Sequence, residues 1–343
     1  MRGSSLPRPN HFSGMSAGSR SNTQFREASM IRYLIARILS AIPVIGVVTI
    51  VVFGLTYLGP GDAASLMAGD YASPADIAAL RVKLHLDDPI ITQYIYWLGN
   101  VLKGDFGHSI FSQQPVLALI LSRVEPTITL AIAATLVAVV VAVPLGLLAA
   151  HNKGGIADQV VSLFGVAGTA IPAFLIGYLL IFAFGVYYGS MPIAGFAGIE
   201  SGLLEMAKHV LLPAIMLGFA QTALISRITR ASAIEALNQD FVRVARAKGL
   251  DEITIMIWHC LKPIAVPVIT IVGTSFAHML GGVVITETVF AIPGIGSLLV
   301  EAIQHKDIPV IQGVLLLSSL VYVLVNLLVD LSYLIVDPRI KYT

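Results

Sequence analysis

Charge is what this chain has least of. Only 12% of its 343 residues are Asp, Glu, Lys or Arg, against 56% hydrophobic. Soluble domains carry roughly a quarter charged residues, so most of this surface must be solvated by lipid. Cysteine is nearly absent: Cys260 stands alone, which excludes an internal disulfide framework and any multi-cysteine metal site. No lysine follows a glycine. A phosphate-cradling loop needs that pair, because backbone amides hold the phosphates while the lysine reaches them. ATP work by that device is excluded. The eight histidines show no His-Glu-x-x-His spacing for metal, and no Gly-x-Ser-x-Gly elbow or other nucleophile with a base is present. Asp105-Phe106-Gly107 matches a kinase trio by coincidence, since no Gly-rich loop or catalytic Asp pattern accompanies it. No basic, aromatic-rich stretch suggests nucleic acid.

What is present is a series of apolar runs. A membrane span needs about 20 mostly apolar residues. Six such runs are expected, at roughly 33–58, 127–150, 160–187, 210–228, 266–290 and 310–335. Residues 1–29, rich in Ser, Gly, Arg, Asn and Pro, read as a disordered tail. Met30-Ile31-Arg32 makes a natural beginning. Gly59-Pro60-Gly61-Asp62 ends the first span. Residues 30–125 thus hold the first span and a polar segment outside the membrane, and 126–343 hold a five-helix core. In the polar segment, Ser73-Pro74 with Asp76 and then Asp88-Pro89 are helix starts. Behind Pro89 the apolar residues, with Tyr94 and Trp97, fall mainly on one face, and Gly104 stops the helix. Such helices are expected at the membrane surface.

Cations set the orientation. With the amino end in the cytoplasm, eleven fall on the inner side: Arg32, Arg37, Lys153, six between residues 227 and 262, Arg339 and Lys341. Six fall outside: Arg81, Lys83, Lys103, Arg123, Lys208 and Lys306. Both termini are then cytoplasmic.

The inner island from Arg227 to Lys262 is the most informative stretch. Asp240 can cap the amino end of a short helix, and Gly249 can close it in the left-handed conformation. Asp251 can cap a second helix, Glu252–Lys262, before Pro263 and Pro267. The first helix is about two turns, too short to stand alone in water, so it must dock. Ala245 and Ala247 are small enough for a partner to approach. The plainer alternative is a charged loop satisfied by lipid headgroups. Glu287, beside Pro293-Gly294-Ile295-Gly296, is either a carboxylate paired with a nearby donor or headgroup, or part of a substrate path. There proline ends a helix and glycine accepts positive φ. Asp330 likewise has either a structural partner or a pathway role. Thr127, Thr129, Thr169, Ser275 and His278 are expected to bond within their helices or across to neighbours.

The run Gln239-Asp240-Phe241-Val242-Arg243-Val244-Ala245-Arg246-Ala247-Lys248-Gly249-Leu250 resembles the cytoplasmic loop of binding-protein-dependent ABC importer permeases, more closely its dipeptide/oligopeptide branch. Arg243 stands where the general Glu-Ala-Ala signature has Glu, as is common in that branch, while Ala245 and Gly249 remain. Glu287-Thr288-Val289-Phe290-Ala291-Ile292-Pro293-Gly294-Ile295-Gly296, Asp307-Ile308-Pro309-Val310-Ile311-Gln312-Gly313, Asn326-Leu327-Leu328-Val329-Asp330 and Asp337-Pro338-Arg339-Ile340 fit the first permease subunit of that family. Gly104-Asp105-Phe106-Gly107-His108-Ser109 fits its outer segment. The likeness covers about residues 30–343. It implies an all-α integral membrane protein of six transmembrane helices. An extracytoplasmic helical insertion follows the first span, and a cytoplasmic coupling helix lies within 227–262. It implies a permease subunit in the bacterial inner membrane that lacks ATPase activity of its own and needs no cofactor. Its partners would be a homologous second permease, two cytoplasmic ATPases, an extracytoplasmic substrate-binding protein and membrane lipid. Asp240, Arg243, Ala245, Arg246, Ala247 and Gly249 would couple to the ATPase. Glu287, Pro293, Gly294 and Gly296 would stand at the outer mouth. The alternative is a secondary transporter driven by an ion gradient, for which buried carboxylate relays and internal repeats are wanting.

Overall fold

The computed structural model describes residues 37, 39–57, 64, 73–83 and 86–336. The tail 1–29, the Met30-Ile31-Arg32 start, the Gly59-Pro60-Gly61-Asp62 ending and the Asp337-Pro338-Arg339-Ile340 motif lie outside the described residues, as does Lys341. The described helices are α1 (Leu39–Tyr57), α2 (Pro74–Lys83), α3 (Ile90–Leu102), α4 (Val116–His151), α5 (Ile156–Ala170), α6 (Ala173–Leu180), α7 (Leu203–Leu237), α8 (Asp240–Ala247), α9 (Leu261–Val289), α10 (Ile295–Gln304) and α11 (Ile308–Val336). Among the described residues, five helices are long and apolar enough to cross a membrane, six if the bent pair α5 and α6 is one span.

That pair departs from the straight span expected at 160–187. It bends by 103°. Pro172 gives no amide to the preceding turn, and Ile171 before it is pushed out of the helical region, to ψ 123°. Beyond α6 the helix loosens into a π segment, Ile181–Tyr187. α4 and α7 overrun the expected spans. At 36 and 35 residues each is more than 50 Å long (~1.5 Å per residue), against a hydrocarbon core of about 30 Å. Arg227 and Arg230 therefore sit on α7 and not in a loop.

α7 is the centre of the bundle, packed on α4, α5, α6 and α9. Small residues make this possible. Ala134, Ala138 and Ala142 of α4 recur at one-turn spacing and are fully buried beside Leu130, Met216 and Ile225. Lipid tails are as apolar as leucine, so membrane helices associate through close packing more than through hydrophobic drive. A Cβ on Gly146 would lie 2.6 Å from Thr229 Cβ and 2.7 Å from the Ser226 carbonyl oxygen. On Gly168 it would lie 2.3 Å from Ala223 Cβ. Gly146→Leu should therefore separate α4 from α7 and remove most of the subunit from the membrane. Gly46→Leu on α1, which faces open space, should not. Quantitative immunoblots of membranes test this, and equal abundance of the two variants would refute the close-packed seam.

α1 is held at both ends of α11. Gln312 Nε2 donates to the Val52 carbonyl at 3.1 Å and to Thr56 Oγ1 at 2.8 Å. Arg37 pairs with Asp330, which gives that carboxylate the structural partner, one of its two expected roles. α3 lies against α1 through Phe53, Tyr57, Tyr94 and Trp97, with Thr49 and Tyr94 hydroxyls 2.8 Å apart. Gly104 ends α3 as expected, at φ +84°. The amides of Gly104 and Asp105 close on the carbonyls of Val101 and Asn100, the six-to-one closure that favours glycine. Pro89, rather than Asp88, occupies the cap position of α3.

Candidate functional site

α8 is a two-turn helix joining α7 to α9. Its apolar residues are spaced so that Val242 and Ala245 share one face. Both are buried, against Ala150 of α4, Ala233 and Ala236 of α7, and Ile255, Cys260 and Ile264 at the start of the next span. The short helix thus docks on three helix ends of its own chain. This corrects the expectation that Ala245 is open to a partner: it is 4% exposed. The opposite face carries Asp240, Arg243, Val244 and Ala247, all exposed.

Asp240 is not the cap either. Gln239 holds that position without a side-chain bond, and Asp240 is the first helical residue, paired with Arg243 at 3.2 Å. Its charge still suits the positive end of the helix. Arg246 turns to the flank and forks onto Glu252, with Nε–Oε1 2.6 Å and Nη2–Oε2 3.0 Å. It ties α8 to the following helix.

Gly249 has φ +81°. Its amide bonds the Arg246 carbonyl at 2.9 Å, and that of Leu250 bonds Ala245 at 3.3 Å. The expected glycine closure is thus present. Asp251 caps the next helix by accepting from the Thr254 amide at 3.0 Å. The Thr254 hydrogen bonds hold its carboxyl below the usual carboxylate range, so the cap stays charged. The second helix does not stop at Lys262. Glu252–Thr254 runs through a π turn, Ile255–Cys260, straight into α9. A π turn just ahead of Pro263 relaxes the hydrogen-bond register where proline supplies no donor.

At the far end of the bundle Glu287 is 0% exposed. Thr127 Oγ1 donates to it at 2.6 Å, and the Ser297 amide at 2.8 Å. Thr127 also accepts from the Ile295 amide at 2.8 Å. The carboxylate therefore caps the amino end of α10, where free amides and the helix dipole favour a negative charge. Of the two readings, pairing with nearby donors is what the geometry shows. Gly294 is not in the left-handed region, as expected above, but at φ −108°. Its glycine is needed because a Cβ would lie 2.0 Å from Glu287 Oε1. The left-handed residue of this turn is Ala291, at φ 47°. Pro293 and Glu287 line one cavity of ≈ 360 Å³ with Arg123 and Glu301. Asp307 secures the same corner by accepting from Ser109 and from the amides of Ile110 and Phe111.

Thr169 bonds back to its own helix at Val166, as expected of a polar residue in a span. Ser275 departs from that expectation: its hydroxyl is buried without a hydrogen-bond partner among the described residues. Sequence reasoning missed Asp158, which is buried on α5 and forks with Arg230. The signal was an acid at the edge of an apolar run with an unassigned arginine in the island.

A bundle centred on α7, with a short docked helix slung between two spans, is the architecture of a membrane transport subunit. Residues 142–342 match the binding-protein-dependent transport system inner membrane component family, and residues 30–131 match its amino-terminal companion. The chain belongs to that family: it is a permease subunit of an ABC importer, the membrane component rather than the catalytic one. It is 44% identical over 310 residues to a probable peptide ABC transporter permease, y4tP, of Sinorhizobium fredii, covering 90% of this chain and 99% of that one. It is 38% identical over 313 residues to the glutathione transport system permease GsiC of Escherichia coli K12, covering 91% and 100%. An inward-facing structure of the MetNI methionine ABC transporter matches the fold at TM-score 0.52 and 16% identity, over 64% of this chain and 96% of that one.

Proposed function

We propose that this subunit forms half of a pathway for short peptides or peptide-like solutes and receives its driving motion through α8. The observation that carries the reading is the docking of α8. Val242 and Ala245 lock it to the ends of α4 and α7 and to the start of the α9 span, while Asp240, Arg243, Val244 and Ala247 face outward. An ATPase subunit gripping that face moves three spans at once. The relatives named for peptide and for glutathione, itself a tripeptide, support the substrate class.

The partners are a second, homologous permease, two ATPases that hydrolyse the ATP this chain does not, and a binding protein delivering solute at the Pro293 and α10 corner. The excess of cations at the α8 end supports a cytoplasmic position for it. The Arg37–Asp330 pair supports both termini lying on that side. The carboxylates that a gradient-driven carrier would use are engaged in pairs near opposite ends of the bundle.

The test is a complex carrying Cys260→Ala and Ala247→Cys. Position 247 should cross-link to an ATPase subunit, and vesicles should take up labelled di- and tripeptides on adding ATP and binding protein. Labelling of position 247 from outside sealed cells, or no peptide uptake by an active complex, would overturn the reading.

A further inference from the structure

α5 begins on an ion pair whose carboxylate is buried and whose arginine is half-buried. The Asp158 side chain is 8% exposed. Arg230 of α7 donates from Nε and Nη2 to its two oxygens, the latter at 2.8 Å. The Gly154 amide donates to Oδ2 at 2.9 Å, and Gly154 itself has φ +80°. Asp158 therefore shapes the α4–α5 turn through the backbone and grips α7 through its charge.

The location matters. Arg230 stands about one turn before Ala233 and two before Ala236, the residues on which α8 rests. On the other side of the pair, Leu147 and Ala150 of α4 join the same cluster, and the turn follows at once. At its far end α5 is cut from α6 by the 103° bend. We infer that the Asp158–Arg230 pair is a positioning element for transport, making α5 and the α4–α5 turn follow α7 when α8 is displaced. The inference rests on α8 being the driven element.

Among the described residues, other links between α5 and α7 include the apolar Phe164–Phe219 ring contact and the Gly168–Ala223 approach. Apolar contact is non-directional and permits sliding. A forked arginine–carboxylate pair fixes direction and register. Removing Arg230 leaves the buried Asp158 carboxylate uncompensated, and removing Asp158 leaves a half-buried guanidinium without its acceptor.

The experiment measures peptide taken up per ATP hydrolysed in reconstituted complexes normalised for subunit content. Asp158→Asn and Arg230→Gln should each lower that ratio by about ten- to a hundredfold, the worth of a hydrogen bond to a charged group. ATPase activity should persist. The exchange Asp158→Arg with Arg230→Asp should recover much of the loss. Arg230→Lys keeps the charge and loses the fork, so it should assemble at wild-type level with an intermediate ratio. A wild-type ratio in Arg230→Lys, or a parallel fall of uptake and ATPase that the exchange does not restore, overturns the inference. Gly249→Val in the same preparation, read as loss of both binding-protein-stimulated ATPase and uptake, separates the two ideas. If it uncouples and the Asp158 variants do not, the pair is only structural. If it stays coupled, the α8 reading is what has failed.

Discussion

Gly294→Ala should push α10 off the bundle and abolish uptake, although alanine is the smallest change available. The added Cβ would sit 2.0 Å from Glu287 Oε1 and 2.2 Å from its Cδ. A free glutamate would swing aside. This one is pinned by Thr127 and by the Ser297 amide, and retreat would strip the cap from α10. Overpacking of this kind costs about 1–3 kcal/mol, and a helix cap adds about 1 kcal/mol more. The sharper result is the double variant. Glu287→Ala alone should also weaken the corner, because Thr127 and the α10 amides lose their acceptor. Combined with it, Gly294→Ala should cost little, since the clashing group is gone. Thermal unfolding of the detergent-purified subunit gives the four corners of the cycle. Contacting residues couple by about 0.5–3 kcal/mol. Additive destabilisation would show that Glu287 does not sit on Gly294 as described.

That cluster also marks where reading the sequence stopped. Pro293, Gly294 and Gly296 are legible as a turn, and Glu287 as an acid near it, but Gly294 serves close approach to Glu287 and not positive φ. Periodicity cannot show that residues 287 and 294 meet, because the contact depends on the path of the turn through Ala291, a residue with no preference for φ +47°. The same limit applies to Asp158. Its partner is 72 residues away, and nothing local to either residue announces the other. What was legible was whatever is encoded locally: the apolar runs, the Ser73-Pro74 start of α2, the glycine closures at Gly104 and Gly249, and the Asp251 cap. The α8 face was half legible. The small size of Ala245 is legible, but not which side of the helix meets the bundle, and Ala245 faces Ala233 and Ala236 rather than a partner.

Gly249→Val should uncouple the transporter while leaving the subunit in the membrane. Gly249 ends α8 at φ +81°. A side chain there costs about 1–2 kcal/mol, and a β-branched one is the worst fit. Space is not the obstacle, since nothing lies within 4 Å of the built Cβ; the strain is in the backbone. The spans do not share it, because the built Cβ touches none of them and their own packing runs through Ala134, Gly146 and Gly168. α8 must absorb it. A helix of 8 residues has little stability of its own, and its closure holds Leu250 to the Ala245 carbonyl. Opening that closure frees Ala245 from its seat and slackens the Arg246–Glu252 fork, so the outward face of Asp240, Arg243 and Ala247 loses its fixed aim. The assembled complex should still dock its binding protein, but binding-protein-stimulated ATPase and peptide uptake should fall together to near background. Gly249→Asn, which tolerates the left-handed region better, should retain a measurable part of both. Abundance in membranes is the control. Wild-type stimulation and uptake in Gly249→Val at normal abundance would show that the motion does not pass through α8.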